Sequence, residues 1–192
     1  MSELHELFVT APRGTADLLL GELSAYGAVD ARERIGGVAC RGGLDVAYRA
    51  LWWSRIANRV LLVLARFPAT DADALYAGVR AIDWRAHLDP EGLLAVDAVT
   101  SRSTLTHSHF VALRTKDAIV DALRAADGRR PSVDTAHPDL RVNVYIDRDE
   151  VQVALDLAGD SLHRRGYRAS QGAAPLKENL AAALLLRAGW PA

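Results

Sequence analysis

Within the first 68 residues, extended and helical signals alternate in an order that few folds accommodate. Leu7-Phe8-Val9-Thr10 is an apolar run of strand length. Thr15 then stands at the start of a helix carrying Leu18, Leu19, Leu23 and Tyr26, with Gly27 as the residue after its last turn. Val29 to Arg34 and Val38 to Arg41 read as two strands around a Gly36-Gly37 turn. A second helix places Val46, Ala47, Leu51 and Trp52 on its apolar side, and Val60 to Leu64 closes the series as a strand. The order is strand, helix, strand, strand, helix, strand.

That order is the split βαβ, ferredoxin-like pattern, and it makes the chain α+β. Pro68-Ala69-Thr70 marks the expected boundary, so residues 1–68 form an N-terminal domain. Beyond it, Asp71 caps a helix bearing Leu75, Tyr76, Val79 and Ile82, and Leu94 to Val99 is a strand. The polar loop Thr100 to Ser108 leads into a long helix from about His109 to Ala126, and Gly128 to Pro138 reads as loop. Val142 to Ile146 and Val151 to Leu157 alternate in hydropathy around Asp147-Arg148-Asp149, as a half-buried hairpin does. Residues 69–160 form a second domain, and 161–192 a basic linker followed by an apolar helix. Pro175 is expected at that helix's first turn and Gly189 just past its end.

Composition narrows the class. Half of the 192 residues are hydrophobic and about a quarter charged, as in ordinary globular domains. No apolar run approaches the roughly 18 residues of a membrane span, and the acidic N-terminus lacks a signal peptide's basic start. A lone Cys40 excludes an intrachain disulfide and any cysteine-built metal site. These features point to a cytoplasmic protein.

The net charge of −1 argues against nucleic acid, yet its distribution does not. Residues 102–130 carry 6 Lys/Arg against 3 Asp/Glu, and residues 161–192 carry 5 against 1. Two basic segments thus flank the acidic hairpin, and local clustering governs local potential. On a helical wheel Lys116 falls in the middle of the face made by Ala112, Leu113, Ile119, Val120 and Leu123. Arg114, Asp117, Asp121 and Arg124 form the opposite, solvated face. Lys116 can snorkel, pair with a carboxylate, or meet a phosphate together with Arg102 of the same strand-loop-helix unit. Arg164, Arg165, Tyr167 and Arg168 combine phosphate-reaching forks with a ring able to stack on a base. The same run also reads as a solvated linker. Arg141 extends the basic set.

Catalytic patterns are missing. His107 and His109 have no third metal ligand in view, and neither a dinucleotide loop nor a nucleophile elbow occurs. Trp52 and Trp53 point about 100° apart on a helix, so one is expected on the sheet and the other against a neighbouring element. The last helix distributes Leu176, Leu180, Leu184, Leu185 and Leu186 nearly all the way round and so expects burial on every side.

Eight stretches carry a family resemblance. They are Ala11 to Gly14 with Glu22-Leu23, Trp53 to Arg59, Leu75 to Val79, Lys116 to Asp121, Pro138 to Val144, Leu155 to Asp160, Leu162 to Arg168 and Ala174 to Glu178. In these the chain resembles the N-terminal half of bacterial THUMP-domain RNA methyltransferases, above all the class I 23S rRNA guanine-N2-methyltransferases. The resemblance implies a ferredoxin-like unit followed by a THUMP domain that holds structured RNA, 23S rRNA foremost. It also implies a Rossmann-like domain after Trp190 that binds S-adenosylmethionine and transfers the methyl group. The cofactor and catalytic motifs of that domain do not occur in this sequence, so no catalytic or cofactor residue carries over. RNA contacts are expected from Lys116, Arg102, Arg141, Arg164, Arg165, Tyr167 and Arg168. Leu162 to Arg168 are expected at the RNA edge of the THUMP hairpin. The last helix, belonging with the catalytic domain, is expected to be the least well packed. The alternative is a protein-docking module that pairs with a separate methyltransferase subunit through that helix.

Overall fold

The structure, a computed structural model, describes residues 3–168 and 174–190. They divide into two compact units. One holds the described residues up to Leu62 together with those from Leu157 onward, and the other holds Val63–Asp156.

The first unit is built on β1 (His5–Thr10), α1 (Ala16–Ala25), β2 (Val29–Arg34), β3 (Gly37–Gly42), α2 (Leu44–Trp53) and the first residues of β4 (Arg59–Pro68). Its strands lie in the order β2-β3-β1-β4 and pair antiparallel. The register places Leu7 opposite Cys40 and Leu62, and Val9 opposite Val38 and Val60. Period-two alternation therefore gathers these side chains on one face. There they meet Leu19 and Leu23 of α1 and Val46, Ala47 and Ala50 of α2 in one buried cluster. Strand β2 is the edge: it carries charged residues and shifts register between Val29 and Arg32, devices that blunt edge pairing. Gly37 is dictated by sheet contact, since a Cβ there would sit 2.1 Å from the Val9 carbonyl oxygen.

Helix α1 departs from expectation at its start. The Thr15 hydroxyl donates backward to Pro12 O at 2.8 Å and caps no helix amide. Its end is as expected: Gly27 is left-handed (φ +95°) and Ala28 N donates to Leu23 O.

The stretch expected at the edge of the THUMP hairpin lies in this first unit instead. Leu157 N donates to Val60 O and Leu162 N to Asn58 O, so the chain leaves the hairpin and returns along β4. Helix α5 (Glu178–Arg187) starts three residues later than Pro175 suggested. Its burial is one-sided: Asn179 and Ala183 are buried and Leu186 packs on the core, while Leu184 and Leu185 face outward. Asn179 Nδ2 donates to Ile56 O (3.2 Å) and Asn58 Oδ1 (2.7 Å), fixing the helix by polar contacts that the leucine pattern could not reveal.

The second unit comprises the rest of β4, α3 (Ala72–Arg80), a 3₁₀ turn at Trp84–Ala86, β5 (Leu93–Ser101), α4 (Ser108–Asp127), β6 (Ser132–Val133), β7 (Leu140–Asp147) and β8 (Glu150–Asp156). Its strand order is β4-β8-β7-β5-β6. Strands β5 and β7 are parallel, as a helical crossover through α4 requires, and β7 and β8 form the expected hairpin. Strand β6 lies in what reads as loop; two residues are too few for any periodicity. Asp71 caps α3 through Oδ1, which accepts from Asp73 N and Ala74 N. Trp84 is buried, and its indole N–H donates to Val79 O at 2.8 Å.

Helix α4 buries Val111, Thr115, Ala118, Ile119 and Leu123. The face that reads as solvated holds α3 instead. Tyr76 Oη donates to Asp121 Oδ2 (2.6 Å), Arg114 pairs with Asp73 (2.8 Å), and the Arg114 guanidinium lies 4.3 Å from the Tyr76 ring centroid. Charges at helical spacing mark a polar contact as readily as an exposed face.

Candidate nucleic-acid interface

The residues expected to touch RNA fall into two groups, one in each unit. In the second unit, Arg102 follows β5 in a left-handed conformation (φ 47°). Its guanidinium forks onto Asp147 at the end of β7, with Nε–Oδ1 at 3.0 Å, Nη2–Oδ1 at 2.7 Å and Nη2–Oδ2 at 2.8 Å. Arg141 on β7 donates to Asp97 of β5 (3.0 Å) and to Thr135 O (2.8 Å), and its side chain is only 17% exposed. Lys116 flanks the buried stripe of α4 and pairs with its neighbour Asp117. Both arginines therefore hold strands together, and Lys116 takes the salt-bridged alternative with its head group at the surface.

Hydrogen bonds tie the loop between β5 and α4 to the β7–β8 turn and to the start of α4. Thr104 N donates to Asp149 Oδ1 at 2.6 Å, and Phe110 N donates to His107 Nδ1 at 3.2 Å. His107 is thus the cap of α4 rather than a stray surface imidazole. Among the described residues no three His, Cys, Asp or Glu side chains form a group that could hold a metal ion. The loop contains no glycine and so lacks a glycine-rich dinucleotide turn.

In the first unit, Arg165 caps the C-terminal carbonyls of α2. Nη1 donates to Leu51 O (2.9 Å) and Nη2 to Ser54 O (3.0 Å). Arg168 bonds Leu176 O (2.9 Å) and pairs with Glu178 (3.2 Å), which ties the basic run to the start of α5. Arg164 is exposed and has no side-chain partner among the described residues. Tyr167 is 71% exposed. His163 sits between, its Nδ1 2.8 Å from Ser161 Oγ. Burial, then the nearby positive charges, Lys177 first, hold His163 below the usual imidazole range despite Glu178.

Two residues missing from the expected set stand beside this group. Trp52 is 76% and Trp53 65% exposed, so neither belongs to the core as the sequence reading had it. The signal was available in α2 itself. Its buried stripe of Val46, Ala47 and Ala50 leaves Tyr48 and Trp52 on the opposite side of the wheel. Trp53 is the last helical residue.

Comparison with known proteins finds two domain families in the chain. The RlmL ferredoxin-like domain matches residues 6–61, and the THUMP domain matches residues 69–156. The chain is 56% identical over 191 residues to the ribosomal RNA large subunit methyltransferase K/L of Ectopseudomonas mendocina. That match covers 100% of this chain and 26% of the relative, so the chain spans about a quarter of the curated relatives it resembles. Among solved structures, SMU.472, a putative methyltransferase complexed with SAH, superposes with a TM-score of 0.85 at 31% identity, covering 99% of this chain and 50% of that one. A predicted N6-adenine-specific DNA methylase from Listeria monocytogenes gives 0.84 at 31% identity, covering 96% and 48%. The chain therefore carries an RlmL ferredoxin-like domain followed by a THUMP domain, and along its length it is similar to part of the rRNA large subunit methyltransferases.

Proposed function

We propose that the chain binds structured RNA, 23S rRNA in particular, as the substrate-recognition part of an S-adenosylmethionine-dependent guanine-N2-methyltransferase of the cytoplasm. Methyl transfer is assigned to a domain outside this chain, since the chain spans about a quarter of the methyltransferase relatives it resembles. The observation that carries the reading is 56% identity along the whole chain to an rRNA large subunit methyltransferase, with a THUMP domain at its centre. The paired states of Arg102 and Arg141 assign them to positioning the strands. Lys116, paired with its helix neighbour Asp117 and not across strands, is taken with Arg164 and Tyr167 as the foremost RNA contacts, and Arg165 and Arg168 present the loop that bears the last two.

Filter binding of the chain to an rRNA hairpin at two salt concentrations tests this. The expected result is tight retention at low salt that weakens as salt rises, and a shallower salt dependence in a Lys116→Ala, Arg164→Ala variant. Equal retention of variant and parent at both salts would defeat the assignment. Arg165 and Arg168 are left intact because they brace α2 and α5.

A second reading has one observation in its favour. The outer face of α5 shows Leu184 and Leu185 at 56% and 51% exposure, and Trp190 at 67%. That face suits docking onto a methyltransferase domain. Self-association that disappears in Leu184→Ser, Leu185→Ser supports docking, and a monomer at all concentrations counts against it.

A further inference from the structure

Trp52, Trp53 and Tyr167 occupy one side of the first unit, with Tyr48 one turn before Trp52 on α2. The tryptophan pair, Leu162 and Arg165 line two adjoining grooves of about 610 and 440 Å³. Both volumes fall in the roughly 300–1,000 Å³ range of ligand-sized sites. Tyr48 and Arg49 complete one groove; Arg55 and Tyr167 lie in the other. Four large rings at 64–76% exposure on one short helix and its neighbouring loop are costly to leave in water unless something covers them.

We propose that this aromatic shelf takes unstacked bases of single-stranded RNA, a site separate from the paired cations of the THUMP unit. The inference rests on the RNA-binding reading above and extends it to the ferredoxin-like unit. Charge decides between RNA and protein as the occupant. The grooves are lined by Arg49, Arg55 and Arg165, and their one carboxylate, Glu178, is neutralised by Arg168. The other acids against these arginines are paired as well: Asp45 with Arg49, and Glu22 with Arg55. These pairs offset one another, so the remaining cationic excess around the flat rings is Arg165, with Arg164 exposed on the same loop, and it matches phosphates flanking stacked bases. The outward face of α5, aliphatic leucine, has the opposite character. Arg165 serves the shelf directly: by capping α2 it holds the helix end that carries both tryptophans against the loop that carries Tyr167.

The test uses the whole chain, a mixed-sequence 12-nucleotide single-stranded RNA and the same sequence as a duplex. Binding is followed by fluorescence anisotropy of labelled RNA. The single strand is expected to bind more tightly than the duplex. Trp52→Ala and Trp53→Ala should each weaken it roughly tenfold, Tyr167→Ala similarly, and Trp52→Phe much less. Ile35→Ala, at an exposed residue outside the grooves, is the control and should change little. Far-UV circular dichroism confirms folding, which exposed positions should not disturb. Wild-type affinity in all three alanine variants, with salt-dependent hairpin retention intact, overturns the shelf but leaves RNA binding standing. Failure of the parent chain to bind either RNA at low salt overturns both. Unchanged RNA affinity together with self-association that Trp52→Ala abolishes assigns the rings to protein contact and likewise overturns the shelf.

Discussion

Thr115 shows how a single polar atom can set the sign of a substitution. Its side chain is fully buried in α4, and Oγ1 has no hydrogen-bond partner. An unpaired buried hydroxyl costs about 1–3 kcal/mol, more than one methyl's mispacking. Thr115→Val should therefore raise stability by about 1 kcal/mol, read as a higher urea midpoint at unchanged slope. Tyr76 is the converse. Its hydroxyl donates to a carboxylate, and removing it in Tyr76→Phe strands the Asp121 oxygen, so about 1 kcal/mol should be lost in the same measurement. Cys40 is predicted to be silent: burial pushes its thiol up to about 11, so folded protein should resist a thiol reagent at pH 8 that labels it in denaturant.

His163 gives the residue scale a pH dependence. Its folded pKa lies below its ordinary value, so the unfolded chain takes up the proton first. Any stability that the neutral ring contributes is complete above the unfolded value near 6.5 and declines as pH falls toward the folded one. Proton NMR of its ring should report a midpoint below that of His163 in the unfolded chain. A midpoint at or above that value would contradict the burial seen here.

At the scale of elements, strand β3 depends on one close approach and helix α5 on one amide. Gly37→Ala would drive a methyl into the Val9 carbonyl, and β1 and β3 cannot both keep their register. The variant should fail to fold at 25 °C, seen as loss of the cooperative unfolding transition. The order of β1 to β4 with α1 and α2 was legible because period-two and helical patterns alternate cleanly there. What escaped was decided by partners remote in sequence. The polar face of α4 reads as solvated because its partners, Asp73 and Tyr76, lie more than 40 residues away. The leucines of α5 suggested all-round burial, while the contact that seats the helix is an asparagine. The tryptophans of α2 read as core by residue type, whereas Trp52 lies opposite the buried stripe and Trp53 closes the helix.

For the whole molecule, the candidate RNA residues were legible as a composition but not as a surface. The sequence shows where cations cluster, whereas carboxylate partners such as Asp147, Asp97 and Glu178 decide which of them still face solvent. A net charge near zero coexists with local excess for this reason. RNA affinity is accordingly expected to have a modest salt dependence, with a log–log slope set by a few phosphates rather than by all 23 cations. A slope near that of a wholly basic protein would refute this division of labour.

The first unit is discontinuous along the chain: its core takes in Leu157, Leu162 and Ala183 as well as residues before Leu62. That ordering has a consequence in time. During synthesis at roughly 5–20 residues per second, the unit begun first waits on the order of ten seconds for its last pieces. The second unit, contiguous in sequence, is finished in the interval. The sheet begun before the second unit is therefore completed after it. In those seconds the part of the core that Leu162 and Ala183 complete is open to chaperones, and translation speed between the two segments becomes a determinant of yield.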